Sequence, residues 1–324
     1  MLRNLVEKLK KSGILGRSGS GFPVWLKWQL VKEEKAEKKF IICNGSEGEP
    51  GTFKDGFILK NYPQQVIEGI KIALAFLDNS SAYIYLRKDY YQRFGPRLRL
   101  LAKGLPIKIT KKKGGYLSGE ETAICEAIEG KTALPRQKPP YPTQRGLWGY
   151  PTLVNNVETF YSVAKIVKGE YKKERFYSIS GDIKNPGVFE LSEDWTIKKV
   201  LKETNNLPDF DFFVQAGGKA AGEILLPNQL EKKIKGIATI IVFDRRKTDL
   251  FKLMQNWIIF FLRENCDKCT PCREGAFRIA EMLDKKSLDR KVLKDIFFVL
   301  DTTSLCPLGK IMVNPFKTLI EKLL

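Results

Sequence analysis

The chain contains no histidine in 324 residues. That absence removes every mechanism built on imidazole, including Ser–His and Cys–His nucleophile pairs. Long apolar runs are missing as well. The longest, Trp257 to Leu262, is far too short to cross a bilayer, and the first residues lack the apolar core of a signal peptide. Cysteine is scarce, six residues in all, so no disulfide framework is expected. Neither an internal repeat nor a low-complexity linker is found. What remains is a chain expected to be cytoplasmic and long enough for two or three domains with a substantial core.

Positive charge is abundant: 56 Lys and Arg against 37 Asp and Glu give a formal charge of +19. Nucleic acid, an anionic membrane face and an acidic partner are the classes such a balance suggests. The distribution argues against nucleic acid. Lys111-Lys112-Lys113 and Lys232-Lys233 are short clusters, and the stretch Lys32 to Lys39 alternates with Glu33, Glu34 and Glu37, as a solvated face does. No zinc-finger, basic-zipper or aromatic RNA-binding signature accompanies them.

Four of the six cysteines form a pattern. Cys266-x2-Cys269-x2-Cys272 lies inside Glu264-Asn-Cys-Asp-Lys-Cys-Thr-Pro-Cys-Arg-Glu-Gly275, and Cys306-Pro307 follows far downstream. Three thiolates at three-residue intervals can close on one face of a cubane from a single loop, with one remote cysteine for the fourth corner. A structural zinc site is the rival, but zinc usually takes two separated ligand pairs, often with histidine. Cys43 and Cys125 read as small buried hydrophobes.

Leu2, Leu5, Val6 and Leu9 predict an amphipathic helix near residues 2–11 that stops at Gly13. The glycine-rich loop Gly16-Arg-Ser-Gly-Ser-Gly-Phe-Pro23 follows. Phe40 to Cys43 and Ala82 to Leu86 predict strands, Gln65 to Leu77 and Gly119 to Glu129 helices, an α/β layout with ligand loops at strand ends over residues 1–170. Near residue 170 the texture changes. Arg175 to Ser180 and Val188 to Leu191 predict a hairpin around Asn185-Pro-Gly187, with strands at Phe212 to Gln215 and Thr239 to Phe243 and a helix at Ile197 to Thr204. This gives a small α+β module over 171–246. From 247 to 324 the chain predicts helices at Leu250 to Arg263, Gly275 to Leu283, Ser287 to Leu300 and Pro315 to Leu324, bracketing the cysteines.

Several loops carry chemistry. Gly16, Gly19 and Gly21 would let backbone N–H groups approach a phosphate, with Arg17 adding charge, although a plain turn explains the same residues. Glu47-Gly-Glu49 and Gly119-Glu120-Glu121 place paired carboxylates beside glycine, suited to ribose hydroxyls, a carboxamide or a flavin edge. Ordinary turn acids and favourable helix N-terminal charge are the alternatives. Asn155 and Asn156 supply amide donors and acceptors for a polar ring, or local turn bonds.

Together these residues carry a resemblance. The glycine loop with Leu26-Lys-Trp28, Cys43-Asn44 with Glu47-Gly-Glu-Pro-Gly-Thr-Phe-Lys-Asp55, Tyr116 with Gly119-Glu-Glu-Thr-Ala123, Pro135-Arg136 with Lys138-Pro-Pro140, Gly146-Leu147 with Pro151-Thr152 and Val154-Asn-Asn-Val-Glu-Thr159, Ser180-Gly181 with Asn185-Pro-Gly187, Cys269-Thr-Pro-Cys-Arg-Glu-Gly275 and Leu305-Cys306 with Leu308-Gly309 occur in order. The chain resembles the flavoprotein, NADH-binding subunit of respiratory complex I and its relatives in NAD-linked hydrogenases and formate dehydrogenases.

The resemblance implies a Rossmann-like FMN and NADH domain, a ubiquitin-like β-grasp module and a helical bundle with a 4Fe-4S cluster. It implies that Gly16, Arg17, Gly19, Gly21 and Lys27 hold flavin and nucleotide, with Phe22 stacking on the adenine. Asn44, Tyr116, Gly119, Glu120, Glu121, Asn155, Asn156 and Thr159 would contact FMN, Glu47 and Glu49 would lie at the nicotinamide side, and Cys266, Cys269, Cys272 and Cys306 would ligate the cluster. The implied activity is NADH dehydrogenase, with a 2Fe-2S partner subunit and a larger redox complex, peripheral on the inner membrane face through those partners. A scaffold that keeps the cluster without nucleotide turnover is the second reading. It is motivated by departures: Ser18 and Ser20 interrupt the usual glycine loop, Ser46 replaces the usual acid, and Leu30 and Tyr141 stand at positions where aromatics grip the nucleotide. Weaker NADH affinity or a changed NADH/NADPH preference would follow.

Overall fold

A computed structural model of the chain describes residues 4–324. The N-terminal apolar spacing gives α1 (Leu5–Ser12), which buries Leu5 and Leu9 and ends at Gly13 in the left-handed conformation, φ 68°. The expected helical turn at Leu2 lies outside the described residues. After the glycine loop come α2 (Val24–Glu33), β1 (Lys39–Gly45), α3 (Lys54–Asn61), α4 (Pro63–Phe76), β2 (Ser80–Leu86), α5 (Lys88–Leu101), β3 (Ile107–Lys111), α6 (Glu121–Ile128), α7 (Pro142–Arg145), β4 (Thr152–Asn156) and α8 (Val157–Lys168).

The four strands form one parallel sheet in the order β3-β2-β1-β4. Central β1 is covered on both faces, which is why it reads as an unbroken apolar run, Phe40 to Cys43, all of it buried. Strand order reverses beside β1, because β2 and β3 lie on one side of it and β4 on the other. In an open parallel sheet such a reversal leaves a crevice beyond the C-terminal strand ends. Asn44 and Asn156 pair in register at that point.

A second sheet, β5 (Glu174–Gly181), β6 (Gly187–Ser192), β7 (Phe212–Ala216), β8 (Glu223–Leu225) and β9 (Thr239–Asp244), has the order β6-β5-β9-β7-β8. The predicted hairpin is present, with β5 and β6 antiparallel, while β5 and β9 pair in parallel. One helix, α9 (Ile197–Glu203), packs its Ile197, Val200 and Leu201 into the core of this sheet.

Four helices end the chain: α10 (Leu250–Glu264), α11 (Thr270–Asp284), α12 (Arg290–Thr303) and α13 (Pro307–Leu323). Two begin earlier than expected, and both shifts involve cysteine. Cys272 lies in the first turn of α11, not in a loop, and Cys306 directly precedes α13, whose start at Pro307 precedes the expected Pro315. Proline at the first or second helical position suits both starts, since its missing N–H would have no partner there. The expected helix at Gly119 likewise starts at Glu121, after a 3₁₀ turn over Tyr116–Gly119.

The cores cross from unit to unit. Phe176 of the second sheet joins the core of the parallel-sheet unit, and Phe213 and Ile224 join Leu117 and the helical core. Inside the first core α4 and α8 touch backbone to backbone, because a Cβ on Gly69 would overlap the Phe160 carbonyl. Gly69→Ala must therefore separate two helices in a filled core, an overpacking cost of about 3 kcal/mol. Gly104→Ala, at φ 79° with open space around it, should cost only about 1 kcal/mol. Denaturant unfolding of the two variants checks this ordering, and equal midpoints would contradict the close packing.

Candidate functional site

The crevice at the strand-order reversal opens into a cavity of about 960 Å³. Asn44, Asn155 and Asn156 form its floor, and Arg17 to Ser20 of the glycine loop one wall. Lys235, Gly236 and Ile237, carried in from the second sheet's unit, face that loop, and Pro307 and Leu308, next to Cys306, also line the cavity. One chamber thus touches all three parts of the chain.

The glycine loop is closed by Gly16 N–H donating to the Phe22 carbonyl at 2.9 Å. Gly19 and Gly21 hold φ 101° and 60°, conformations that disfavour any side chain. Gly19 lines the cavity, whereas Gly16 and Gly21 do not and only shape the turn. Arg17 departs from its expected role. Its guanidinium is buried and committed to Glu193 at 2.6 Å and Tyr171 at 2.8 Å, with Glu158 at 3.9 Å, so it offers a phosphate no free charge. Thr159 lies behind the loop, its Oγ1 accepting from the Arg17 N–H at 3.4 Å, and it does not reach the cavity.

Phe22 stands part-exposed at the cavity wall, with the Lys27 ammonium 5.8 Å from its ring centre. Lys27 also pairs with Glu121 at 3.2 Å, and Lys138 pairs with Glu120 at 2.7 Å and Glu121 at 2.9 Å. Burial alone would raise the Glu121 carboxyl, but Lys27 and Lys138 outweigh it and hold it below its ordinary range. Glu120 accepts from the Thr122 and Ala123 N–H groups, the helix-capping role that was the alternative reading of these acids.

From the cavity wall at Lys54 and Asp55 a network runs inward that sequence reasoning did not assign. The Lys54 ammonium is fully buried, 2.6 Å from Asp55, 3.1 Å from Glu158 and 2.9 Å from the Asn156 amide oxygen. Asn156 donates to Asp55 at 2.7 Å and caps α8 through the Glu158 N–H at 3.0 Å. Its neighbour Asn155 accepts from the buried Trp28 Nε1 at 2.9 Å. The Asn44 amide nitrogen donates to the Gly119 carbonyl at 3.0 Å, and its oxygen accepts from Ser46 Oγ at 2.7 Å. Ser46, standing where an acid is usual, thereby satisfies Asn44 with a neutral hydroxyl.

Glu47 and Glu49 line the cavity, yet their carboxylates are held by the protein. Glu47 accepts from Tyr90 Oη and from the Asp55 and Gly56 N–H groups at the start of α3. Glu49 accepts from Ala220 N–H at 2.7 Å, Ala221 N–H at 3.2 Å and Tyr116 Oη at 2.9 Å. Burial pushes each carboxyl up to about 7 although these donors pull the other way, and for Glu47 the Asp55 carboxylate adds to the rise.

The four expected cysteines gather in one place. Burial and the neighbouring Cys269, Cys306 and Cys266 push the Cys272 thiol up to about 12. Cys306 is pushed up to about 11 by burial, with Cys266 and Cys269 adding and the Leu308 N–H opposing. Buried and set against neighbouring thiols, Cys272 and Cys306 would ionise readily only around cationic metal. Among the described residues no three His, Cys, Asp or Glu side chains converge on one ion. A single zinc would need them about 2.3 Å from one point, whereas a cubane offers four separate iron corners. Cys269 and Cys306 sit at the N-caps of α11 and α13, at the positive ends of those helix dipoles. The donor set fits a 4Fe-4S cluster.

Glu49 also sets a pH dependence. Its carboxyl ionises near 7 when folded against 4.5 ordinarily, so between these values the folded state holds the extra proton and rising pH weakens the fold. Relative to Glu49→Gln, the unsubstituted protein should lose stability from about pH 4.5 to 7 and then level off. Urea unfolding across that range checks it, and a difference flat with pH would contradict it.

Residues 9–165 match the family described as the Nuo51 FMN-binding domain, and residues 252–323 match the NADH-ubiquinone oxidoreductase-F iron-sulfur binding region. The NADH-quinone oxidoreductase-F subunit of Buchnera aphidicola from Schizaphis graminum is 34% identical, over 90% of this chain and 75% of that protein. The NAD-reducing hydrogenase HoxS subunit alpha of Cupriavidus necator is 32% identical over 98% of this chain and 59% of that protein. The H2-reduced crystal structure of an NAD+-reducing NiFe hydrogenase superposes at TM-score 0.91 and 31% identity, covering 99% of this chain and 61% of that chain. This chain therefore spans less than two thirds of those two hydrogenase chains. An α/β unit on a parallel sheet, a helical C-terminus and the two matched regions agree: the chain belongs to the family of the NADH-quinone oxidoreductase-F subunits and their NAD-reducing hydrogenase relatives.

Proposed function

We propose that this chain is an electron-input subunit that oxidises NADH by hydride transfer to FMN and passes single electrons to a 4Fe-4S cluster and on to partner subunits. The observation that carries this reading is the shared chamber: one cavity is lined both by the glycine loop and by Pro307 and Leu308, next to Cys306. Bound FMN would accept the two electrons of a hydride and release them singly, the exchange that a one-electron cluster requires.

The chain's own residues bind, orient and exclude water. In this reading Gly19 presents backbone to phosphate, Lys27 supports both cofactors, and Phe22 stacks on the adenine. Asn44, Tyr116, Gly119, Glu120, Glu121, Asn155 and Asn156 address the flavin, Gly16, Gly21 and Thr159 hold the loop that borders it, and Glu47 and Glu49 border the nicotinamide side. Lys138 and the segment from Lys235 to Ile237 join this set by position. No acid–base side chain is needed for hydride transfer, which suits a chain without histidine. Cys266, Cys269, Cys272 and Cys306 ligate the cluster.

The same reading assigns residues 1–170 to a Rossmann-like FMN and NADH domain, 171–246 to a β-grasp module and 247–324 to the cluster domain. Its support for the β-grasp is the antiparallel hairpin followed by α9 and a β9 strand parallel to β5. A 2Fe-2S partner subunit and a larger redox complex complete the assignment, with any membrane association made through those partners. No helix among the described residues is long and apolar enough to cross a membrane.

Anaerobically reconstituted protein should carry about four irons and a flavin whose visible absorbance NADH bleaches. Cys306→Ser should keep the bleaching and lose the cluster's signal in paramagnetic resonance. Protein that holds the cluster but takes up no flavin and ignores NADH would establish the scaffold reading instead.

A further inference from the structure

Ser304 lies in the short link between α12 and α13, two residues before Cys306, and its side chain serves no purpose visible elsewhere in the fold. The residue is 7% exposed, and its hydroxyl oxygen is one of few buried side-chain atoms that have no hydrogen-bond partner. Leaving a buried hydroxyl unsatisfied costs about 1–3 kcal/mol, so such a group calls for a partner that is still to be identified.

Its surroundings say where that partner lies. The hydroxyl occupies the space beside Gly309 in the first turn of α13, where a Cβ on that residue would overlap it. The same point is 3.3 Å from Cβ of Cys272. Ser304 Oγ and Cys272 therefore flank one position, with Cys306 at the N-cap of the helix that carries Gly309. The lack of a side chain at Gly309 is what admits both.

We infer that Ser304 is a positioning residue for the iron–sulfur centre: its hydroxyl donates a hydrogen bond to a sulfur of the cluster or of its Cys272 ligand. The inference rests on the assignment of the four cysteines to a cluster. Hydrogen bonds to cluster sulfurs, together with net charge and exposure, set reduction potential. A donor aimed at sulfur favours the reduced state, whose added electron makes the sulfurs stronger acceptors. Ser304 thus helps the cluster accept electrons, and it touches neither flavin nor nucleotide pocket, since it does not line the cavity.

The test uses the reconstituted holoprotein, with iron content and NADH bleaching of the flavin measured first. In Ser304→Ala, redox titration followed by paramagnetic resonance should show the one-electron reduction equilibrium weakened about tenfold, a fall in midpoint of about 59 mV. Ser304→Thr, which keeps the hydroxyl, should recover most of the shift. In the unsubstituted protein a proton magnetically coupled to the reduced cluster should exchange within minutes of transfer to D2O, as a hydroxyl does and buried helical amides do not.

An unshifted midpoint in Ser304→Ala with its irons in place would overturn the assignment. So would the absence of a fast-exchanging coupled proton in the unsubstituted protein, a result that stands even where the alanine variant fails to fold. Failure of the unsubstituted protein to hold a cluster would instead defeat the ligand assignment beneath it, and the iron count separates the two.

Discussion

A single buried carboxylate, Glu49, ties the three parts of the chain around the cavity. It leaves the loop after β1 to accept from the Ala220 and Ala221 N–H groups of the second sheet's unit, and from Tyr116 Oη. Tyr116 in turn donates its own N–H to Glu264, at the end of α10, at 2.6 Å. The tightness of this junction is written into two glycines. A Cβ on Gly218 would overlap Glu49, and one on Gly115 would overlap Glu264. Together with the cores that cross between units, these contacts fix the width of the chamber. On the proposed function, stacking a nicotinamide on a flavin within reach of a cluster would depend on that width, because transfer steps are sensitive to misplacements of an ångström.

Charge is handled the same way, by pairing before ligand arrives. Lys54 sits between Asp55 and Glu158 with almost no exposure, and breaking such a buried pair by removing one partner costs about 3–5 kcal/mol. Arg17, Lys27 and Lys138 each face carboxylates as well. The formal charge of +19 therefore does not pool in the cavity. Lys235 is a lining cation for which no ion pair forms among the described residues, and the second sheet's unit carries it to a position opposite the glycine loop. A phosphate entering here would rely on backbone N–H groups and on cations already shared with carboxylates, so geometry more than net charge would select the ligand.

Periodicity and turn residues made much of the fold legible. Phe40 to Cys43, apolar without interruption, announced a strand buried on both faces, and Asn185-Pro-Gly187 announced the hairpin between β5 and β6. The helix α5 was hidden because Gly95 and Pro96 interrupt its pattern, yet the chain stays helical through them. The loops singled out in the sequence do line the cavity, but their internal bonding was not legible. Arg17 looked like a phosphate ligand because its partners Tyr171 and Glu193 lie more than 150 positions away. Lys54, Asp55 and Glu158 stood inside the motifs without a role, because Lys54 meets Glu158 only once the sheet is assembled. Burial and pairing over such separations are products of the assembled sheet, and no local pattern encodes them.

The cysteines show the converse, a local pattern whose four members the fold brings together but whose helix context it did not reveal. Spacing placed Cys266, Cys269 and Cys272 together, but only the helix starts reveal what stabilises thiolate there. Cys269 and Cys306 occupy N-caps followed closely by Pro271 and Pro307, so two helix dipoles converge on one thiol group. Burial opposes ionisation at Cys272 and Cys306, and the neighbouring thiols oppose it further at both. Dipoles offset part of that cost, and metal must supply the rest, which couples filling of the site to the folding of α11 and α13 around it. Pro307 and Leu308 belong at once to this centre and to the wall of the cavity, so the helix start that favours thiolate also sets how near the cluster can stand to whatever the cavity holds.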